Sequence, residues 1–237
     1  MAPQNQTLDV LYEDNHLLAV NKPALLPTMG VAPDEPSLLR LAKEWLRQKY
    51  EKPGAVYLGV VSRLDAPVTG VLLVAKTSKA AARLSEAFRA RQVRKLYVAA
   101  VAGRVDLPSG TLEHFLRKDE RHRKVHVTHA GAPDAQAARL DYRMVAAVGE
   151  FALLEVEPET GRKHQIRVQL AKVGHPILGD MKYGGPPGFS PGIALHARQL
   201  ELEHPVRREP LSLEAPLPRS WHSHPGVRRL VEAWPPS

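Results

Sequence analysis

The chain has 237 residues, enough for one large domain or two small ones. Apolar residues make up 43% of it and charged residues 24%, a balance typical of folded proteins that excludes an intrinsically disordered chain. It has no cysteine, which excludes disulfides and thiolate metal sites, and its formal net charge of +8 favours a polyanionic partner such as a nucleic acid.

The first ninety residues are predicted to contain short strands and two helices. Apolar runs predict strands over residues 8–12, 16–20, 56–61 and 71–75. Ser37 is a candidate N-cap for a helix ending near Tyr50, because apolar residues recur after it at helical spacing. Thr77 or Ser78 is the candidate cap of a second helix, which ends near Arg91.

The rest of the chain is predicted to be mainly β-structure. Further strands are predicted over residues 97–101, 111–116, 124–128, 137–148, 151–156, 194–202 and 210–213. The pair Gly149-Glu150 is typical of a hairpin turn, and Gly174 of the C-terminal end of a helix over residues 164–173. A last helix is predicted over residues 226–234. Since strands and helices do not alternate regularly, we expect an α+β fold with a mixed, largely antiparallel β-sheet flanked by helices and loops.

The same patterns bear on domains and location. We expect a single domain over residues 1–237. No apolar run is long enough to span a bilayer, and the N-terminus lacks the basic and apolar regions of a signal peptide. A soluble, cytoplasmic monomer is therefore expected.

Two charged residues interrupt the apolar sequence between residues 60 and 70. Arg63 and Asp65 lie there two residues apart, and Pro67 disfavours helix for the residue before it, so Asp65 is predicted on an irregular turn between two buried strands. Loops held by rigid strands commonly present reactive groups. A structural ion pair between Arg63 and Asp65, or a turn capped by the aspartate side chain, is the alternative that the spacing alone favours.

Four segments together carry a resemblance to a known family. They are Asn-Lys-Pro-Ala-Leu-Leu-Pro at 21–27, Arg-Lys-Leu-Tyr-Val-Ala-Ala at 94–100, Gly-Arg-Lys-His-Gln-Ile-Arg at 161–167 and Gly-His-Pro-Ile-Leu-Gly-Asp at 174–180. With the 60–70 segment, and in this order, they resemble the RluA-type family of RNA pseudouridine synthases over roughly residues 8–203. The resemblance implies the pseudouridine synthase fold and the isomerisation of uridine to pseudouridine in structured ribosomal or transfer RNA, without cofactor or metal. It also implies a catalytic core of about 8–203 with a C-terminal extension over 204–237 and, because the family pattern begins by Leu8, no separate N-terminal RNA-binding domain.

The resemblance also implies a catalytic site. Asp65 matches the catalytic aspartate, which acts as nucleophile or base on the flipped uridine. Arg167 matches the partner that keeps this carboxylate ionised, and Tyr97 the tyrosine that stacks on the target base. Ile166 and Leu170 are both candidates for the opposite wall of the uracil slot.

A second set of residues is implied at the RNA. Arg63 matches the arginine that family members insert into the stack in place of the extruded nucleotide. Lys22, Arg162, His164 and Gln165 are predicted to contribute to RNA binding. The family usually has His at Ser62, and Thr-Ser-Gly where this chain has Val68-Thr69-Gly70, and these departures put the shape of the turn and the choice of RNA in question.

Two rival interpretations remain open at this point. The chain could be a non-catalytic RNA-binding or ribosome-assembly protein on the same fold, although Asp65, Tyr97 and Arg167 argue against decay. Zinc binding by His122, His126 and His129 is disfavoured, because the surrounding sequence is strongly basic and fits a surface facing solvent or RNA. That basic patch consists of Arg117, Lys118, Arg121, Arg123 and Lys124.

Overall fold

The computed structural model describes residues 8–32 and 34–234. Its strands are β1 Val10–Glu13, β2 Leu17–Lys22, β3 Gly59–Val60, β4 Thr69–Ala75, β5 Arg94–Ala102, β6 Ser109–Asp119, β7 Lys124–Thr128, β8 Gln136–Val148, β9 Phe151–Pro158, β10 Leu195–Glu203 and β11 Pro210–Glu214. Its α-helices are α1 Leu38–Lys49, α2 Ser78–Arg89, α3 Gln165–Lys172, α4 Arg219–Ser223 and α5 Pro225–Ala233, and a single 3-10 turn covers Met181–Tyr183. Contacts divide the chain into two compact units, Met1–Val93 with Gln199–Pro216, and Arg94–Arg198 with Leu217–Ser237.

The first unit is built on the antiparallel ladders β1–β2 and β2–β4. Leu17 and Leu73 belong to its core, against which α2 packs Ala80 and Leu84. The burial of every residue of β4 explains why it reads as a continuous apolar run. The predicted strand over 56–61 is shorter in the structure, since only Gly59 and Val60 pair with β4.

Both helices of the first unit begin as predicted. The Ser37 hydroxyl accepts a hydrogen bond from Arg40 N at 3.4 Å, and the Thr77 hydroxyl accepts one from Ala80 N at 3.2 Å. Each satisfies one of the amides that the first turn of a helix leaves without an internal partner. The two N-cap predictions are confirmed, with Thr77 rather than Ser78 as the cap of α2.

The second unit contains an antiparallel sheet in the order β5-β9-β8-β6-β7. The β8–β9 hairpin turns at Gly149, whose φ of +60° lies in the left-handed region that glycine adopts without cost. Helix α3 packs on β6 and β7, where Val168 meets Leu116 and Val125. Helix α5 packs on β8 and β9.

The fold class follows from these elements. Helices and strands are both present without regular alternation, and the paired strands named above run antiparallel, so the predicted α+β class with a largely antiparallel sheet is confirmed. The single-domain assignment over residues 1–237 stays a prediction. Within residues 8–32 and 34–234, no helix has the length and apolar character needed to cross a membrane.

Candidate active site

Asp65 lies on the turn that leads into β4. The turn is closed by a hydrogen bond from Val68 N to Asp65 O at 3.1 Å. Just before it, the Thr28 hydroxyl donates to Leu64 O at 2.8 Å and accepts from Leu64 N at 3.2 Å. One buried side chain thus fixes both backbone groups of the residue preceding Asp65, which is itself half-buried, while Arg63 is exposed.

Lys22 holds the same turn from the neighbouring strand. It is the last residue of β2 and lies opposite Gly70 at the start of β4, which brings its side chain alongside the turn. The ammonium is fully buried and donates to three backbone carbonyls, those of Pro23 and Leu26 at 2.8 Å and of Ala66 at 3.0 Å. Lys22 therefore ties residues 23–26 to the carbonyl that immediately follows Asp65.

The buried environment of Lys22 changes the pKa of its ammonium group. Burial lowers the pKa of the Lys22 ammonium to about 7, and the negative charge of Asp65 opposes the shift. An ammonium has three N–H donors, and each carbonyl accepts one. These three bonds hold the Asp65 turn. The RNA contact of Lys22 stays a prediction, and it would have to replace at least one of them.

Arg167 lies in α3 and is directed into the protein. Its side chain is 6% exposed, so it is not a solvated helix charge. Nε donates to one oxygen of the Asp180 carboxylate at 2.7 Å, and Nη2 to the other oxygen at 2.8 Å. This paired geometry is the strongest that a guanidinium and a carboxylate form, and it fixes the plane of the guanidinium.

Tyr183 and His164 extend this arrangement. The guanidinium carbon of Arg167 lies 5.1 Å from the centre of the Tyr183 ring, within cation–π range. The Tyr183 hydroxyl lies 2.7 Å from His164 Nδ1 and accepts from Val125 N at 3.0 Å. Arg167, Asp180, Tyr183 and His164 are called the Arg167 cluster below.

The residues around the start of α3 are largely engaged with the backbone. The Gln165 side-chain oxygen accepts from the Thr160 hydroxyl at 2.8 Å and from Arg162 N at 3.0 Å, and its amide donates to Arg139 O at 3.0 Å. Arg162 is exposed and donates from Nε to Ala137 O at 3.1 Å. Of the residues predicted at the RNA, Gln165 is thus buried framework, whereas Arg162 reaches the surface.

Tyr97 lies in β5 opposite Val156 and is half-buried. A tyrosine in an apolar strand is most often a core residue, but the Tyr97 side chain is only partly buried. Ile166 and Leu170, the two candidates for the second wall of a uracil slot, are both buried in α3.

Two of the three histidines considered for zinc, His122 and His126, lie close to the carboxylate of Asp119. Asp119 Oδ2 lies 2.8 Å from His122 Nδ1 and 3.6 Å from His126 Nε2. In the described part of the chain, no group of three or more His, Cys, Asp or Glu side chains is placed to hold a metal ion.

Comparison with known proteins decides the family. The model of the RNA pseudouridylate synthase family matches residues 16–172, about two-thirds of the chain. The chain belongs to the RNA pseudouridylate synthase family. As a pseudouridylate synthase it is an isomerase, so the predicted family and enzyme class are both confirmed.

The relatives of this pseudouridylate synthase are similar over most of its length. The ribosomal large subunit pseudouridine synthase D of Xanthomonas campestris is 36% identical over 98% of the chain and 71% of that relative. The tRNA pseudouridine synthase C of Pectobacterium carotovorum is 35% identical over 90% of the chain and 60% of that relative. Among solved structures, human RNA pseudouridylate synthase domain containing 4 matches with a TM-score of 0.76 at 28% identity, covering 94% and 93% of the two chains.

Three residues of these sites received no role from the sequence. Asp180 ends the Gly-His-Pro-Ile-Leu-Gly-Asp motif, and its place in this specific motif could have indicated a functional role. Tyr183 lies outside every motif that carries the resemblance, and both residues lie beyond the range that the family model matches. Thr28 had no signal, because its contact with Leu64 joins segments 36 residues apart.

Proposed function

We propose that this pseudouridylate synthase converts a uridine to pseudouridine in structured ribosomal or transfer RNA, with Asp65 as nucleophile or base. Family membership supports the reaction type. The observation that carries the assignment of Asp65 is the fixation of its turn on both sides, by Thr28 at Leu64 and by Lys22 at Ala66. Preorganisation of this kind is what a reacting group on a turn requires.

The chemistry needs a carboxylate beside the sugar. In this proposal, the Asp65 carboxylate attacks the anomeric carbon or removes a neighbouring proton, and the glycosidic bond from that carbon to the uracil nitrogen breaks. The uracil turns, and a ring carbon bonds to the anomeric carbon while the bond from Asp65 to that carbon breaks or, on the other route, the removed proton returns to the sugar. The ring carbon then loses its proton, and the nitrogen that left the sugar gains one. The product has the same atoms as the substrate, so no cofactor and no metal are proposed.

Ionisation of Asp65 is the second requirement. The Lys22 ammonium and the Asp65 carboxylate attract each other, since the negative charge of Asp65 raises the pKa of Lys22 against the effect of burial. We assign Arg167 to the same task, and its burial and fixed guanidinium plane support a positioned charge rather than a surface one. We assign Tyr97 to stacking on the uracil, for which its half-buried ring is suited.

Access to the target nucleotide is assigned to Arg63. A uridine inside a helix cannot meet a carboxylate unless it leaves the stack, which costs a few kcal/mol. Arg63 is exposed and lies two residues before Asp65, so its guanidinium is free to enter the vacated position while Asp65 faces the extruded nucleoside. The exposed Arg162 is assigned to the RNA backbone.

The relatives support both kinds of target RNA. One is named for the large ribosomal subunit and another for transfer RNA, at nearly equal identity. We therefore propose a uridine in one of these RNAs as the target. The cytoplasmic location and the monomeric state stay predictions.

The test is turnover on RNA from cells that lack this protein. Purified protein should introduce pseudouridine at defined positions, mapped by carbodiimide modification and primer extension. Asp65→Asn should abolish product and leave RNA binding within a few-fold. The asparagine amide has the shape of the aspartate carboxylate, but it cannot attack the anomeric carbon or remove a proton from the sugar. Asp106→Asn is the matched control, since this carboxylate is 83% exposed.

Two outcomes would contradict the proposal. Turnover by Asp65→Asn would remove the assigned role of the aspartate. RNA binding by the wild-type protein without product in any ribosomal or transfer RNA would favour the rival, non-catalytic RNA-binding function.

A further inference from the structure

A single tight turn carries both Asp180 and Tyr183. Asp180 O accepts hydrogen bonds from Tyr183 N at 3.0 Å and from Gly185 N at 2.9 Å, which close the turn on itself. A Cβ at Gly185 would lie 1.9 Å from Ile177 O, so only glycine fits there. The turn therefore presents the Asp180 carboxylate and the Tyr183 ring in a fixed relation to each other.

These two groups hold Arg167 in different ways. Asp180 fixes two guanidinium nitrogens through paired hydrogen bonds. The Tyr183 ring, with its centre 5.1 Å from the guanidinium carbon, supports the group through its π-face. A carboxylate alone leaves the guanidinium able to rock about the line of the two hydrogen bonds, and an aromatic neighbour opposes that motion.

The hydroxyl of Tyr183 in turn fixes the ring. It accepts from Val125 N on β7 and lies within hydrogen-bond distance of His164 Nδ1 at the start of α3. A phenol can accept one such bond and donate its own proton to an unprotonated imidazole nitrogen, so both bonds can form together. The hydroxyl thus links two elements, and the ring that it holds meets Arg167 one helical turn further along α3.

We propose that Tyr183 is a positioning residue for Arg167, in which the ring supports the guanidinium and the hydroxyl fixes the ring between β7 and α3. Its expected effect on turnover rests on the proposed function, because it acts through Arg167. Its effect on the guanidinium does not depend on any reaction, since it follows from contacts within the folded protein.

The direct test is hydrogen exchange at Arg167 Nε–H, followed by NMR on nitrogen-15-labelled protein. Tyr183→Phe keeps the ring and removes the hydroxyl, and we expect exchange to be a few-fold faster. Tyr183→Leu removes both, and we expect exchange at least ten-fold faster. Tyr57→Leu, at an exposed tyrosine outside the cluster, should leave the rate unchanged. Backbone amides of Leu153 and Leu154 in the buried strand β9 report whether each variant is folded.

The outcomes separate a positioning role from a merely structural one. Unchanged Arg167 Nε–H exchange in a folded Tyr183→Leu variant would overturn the proposal. If Tyr183→Leu does not fold, Tyr183→Phe decides, and an exchange rate equal to that of the wild type would refute the role of the hydroxyl.

Kinetics provide the second readout. Tyr183→Leu should lower kcat at least ten-fold with KM for RNA within two-fold, Tyr183→Phe should recover part of the loss, and neither should add much to Arg167→Lys. A rise in KM alone, or full additivity with Arg167→Lys, would contradict the proposal. If the wild type modifies no RNA, the proposed function fails, while the exchange experiment still decides the role of Tyr183.

Discussion

The Arg167 guanidinium and the Asp180 carboxylate form two parallel hydrogen bonds, at 2.7 and 2.8 Å, with both side chains almost fully buried. The pair joins α3 to the turn that follows the Gly-His-Pro-Ile-Leu-Gly-Asp motif. A buried pair of this kind contributes little net stability compared with an apolar pair, but either charge alone is costly in the interior.

Removal of one partner should therefore be severe. We expect Arg167→Ala and Asp180→Asn each to lower the free energy of unfolding by about 3–5 kcal/mol and to lose turnover. Urea unfolding measures the first effect and pseudouridine formation the second. As a control, Glu203→Gln breaks the exposed pair with Arg208 and should cost less than about 1 kcal/mol. An Arg167→Ala variant with normal stability and normal activity would contradict the buried placement.

Thr28 offers a test of the turn that carries Asp65. Thr28→Val preserves the shape of the side chain but leaves Leu64 N–H and C=O without the hydroxyl, which should cost about 1–3 kcal/mol. We expect kcat to fall as well, because the residue before Asp65 is released. Thr28→Ser retains the hydroxyl and should restore most of both losses. If the valine variant matched the wild type in kcat and in urea midpoint, this contact would not be what fixes the turn.

Periodicity predicted α1, α2, α3, α5 and the strands β1 to β11, because the causes of those elements are local. Ser37 and Thr77 cap their helices through an amide three residues away, and the hairpin at Gly149 depends on neighbouring residues alone. The brief 3-10 turn and helix α4 have too few residues to show a period, and neither was predicted.

The parts of the candidate site that the sequence did not predict depend on distant contacts. Lys22 reaches Ala66, which is 44 residues away, only because the register of β2 and β4 places it there. The sequence Asn21-Lys22-Pro23 carries no sign that this lysine is buried. Tyr183 follows the same rule, since its partners lie on β7 and α3.

Burial of Lys22 predicts a pH dependence of stability. The pKa of this ammonium is about 7 in the folded protein, against 10.5 in the absence of burial. Between these values the unfolded chain binds more protons than the folded one, so stability should rise with pH from about 7 toward 10.5. Below pH 7 the full cost of burying the charge is present.

The contribution is isolated by comparing the wild type with Lys22→Met. Between pH 7 and pH 9, the difference in unfolding free energy between the two proteins should change by roughly 2 kcal/mol in favour of the wild type. Urea unfolding at closely spaced pH values measures it. Lys79→Met, at an exposed position on α2, should show no such change. Parallel curves for the wild type and Lys22→Met would mean that Lys22 does not titrate in this window.

Arg63 provides a test of base flipping that is separate from the chemistry. If its guanidinium fills the position vacated by the uridine, Arg63→Ala should lower the rate about ten- to a hundred-fold on a uridine within a helix, where flipping costs a few kcal/mol. The same variant should lose only a few-fold on an unpaired, unstacked uridine of the same sequence, because little stacking is lost there. Arg104→Ala, at another exposed arginine, is the matched control. Equal losses on the paired and unpaired substrates would show that Arg63 contributes charge alone and does not replace the flipped base.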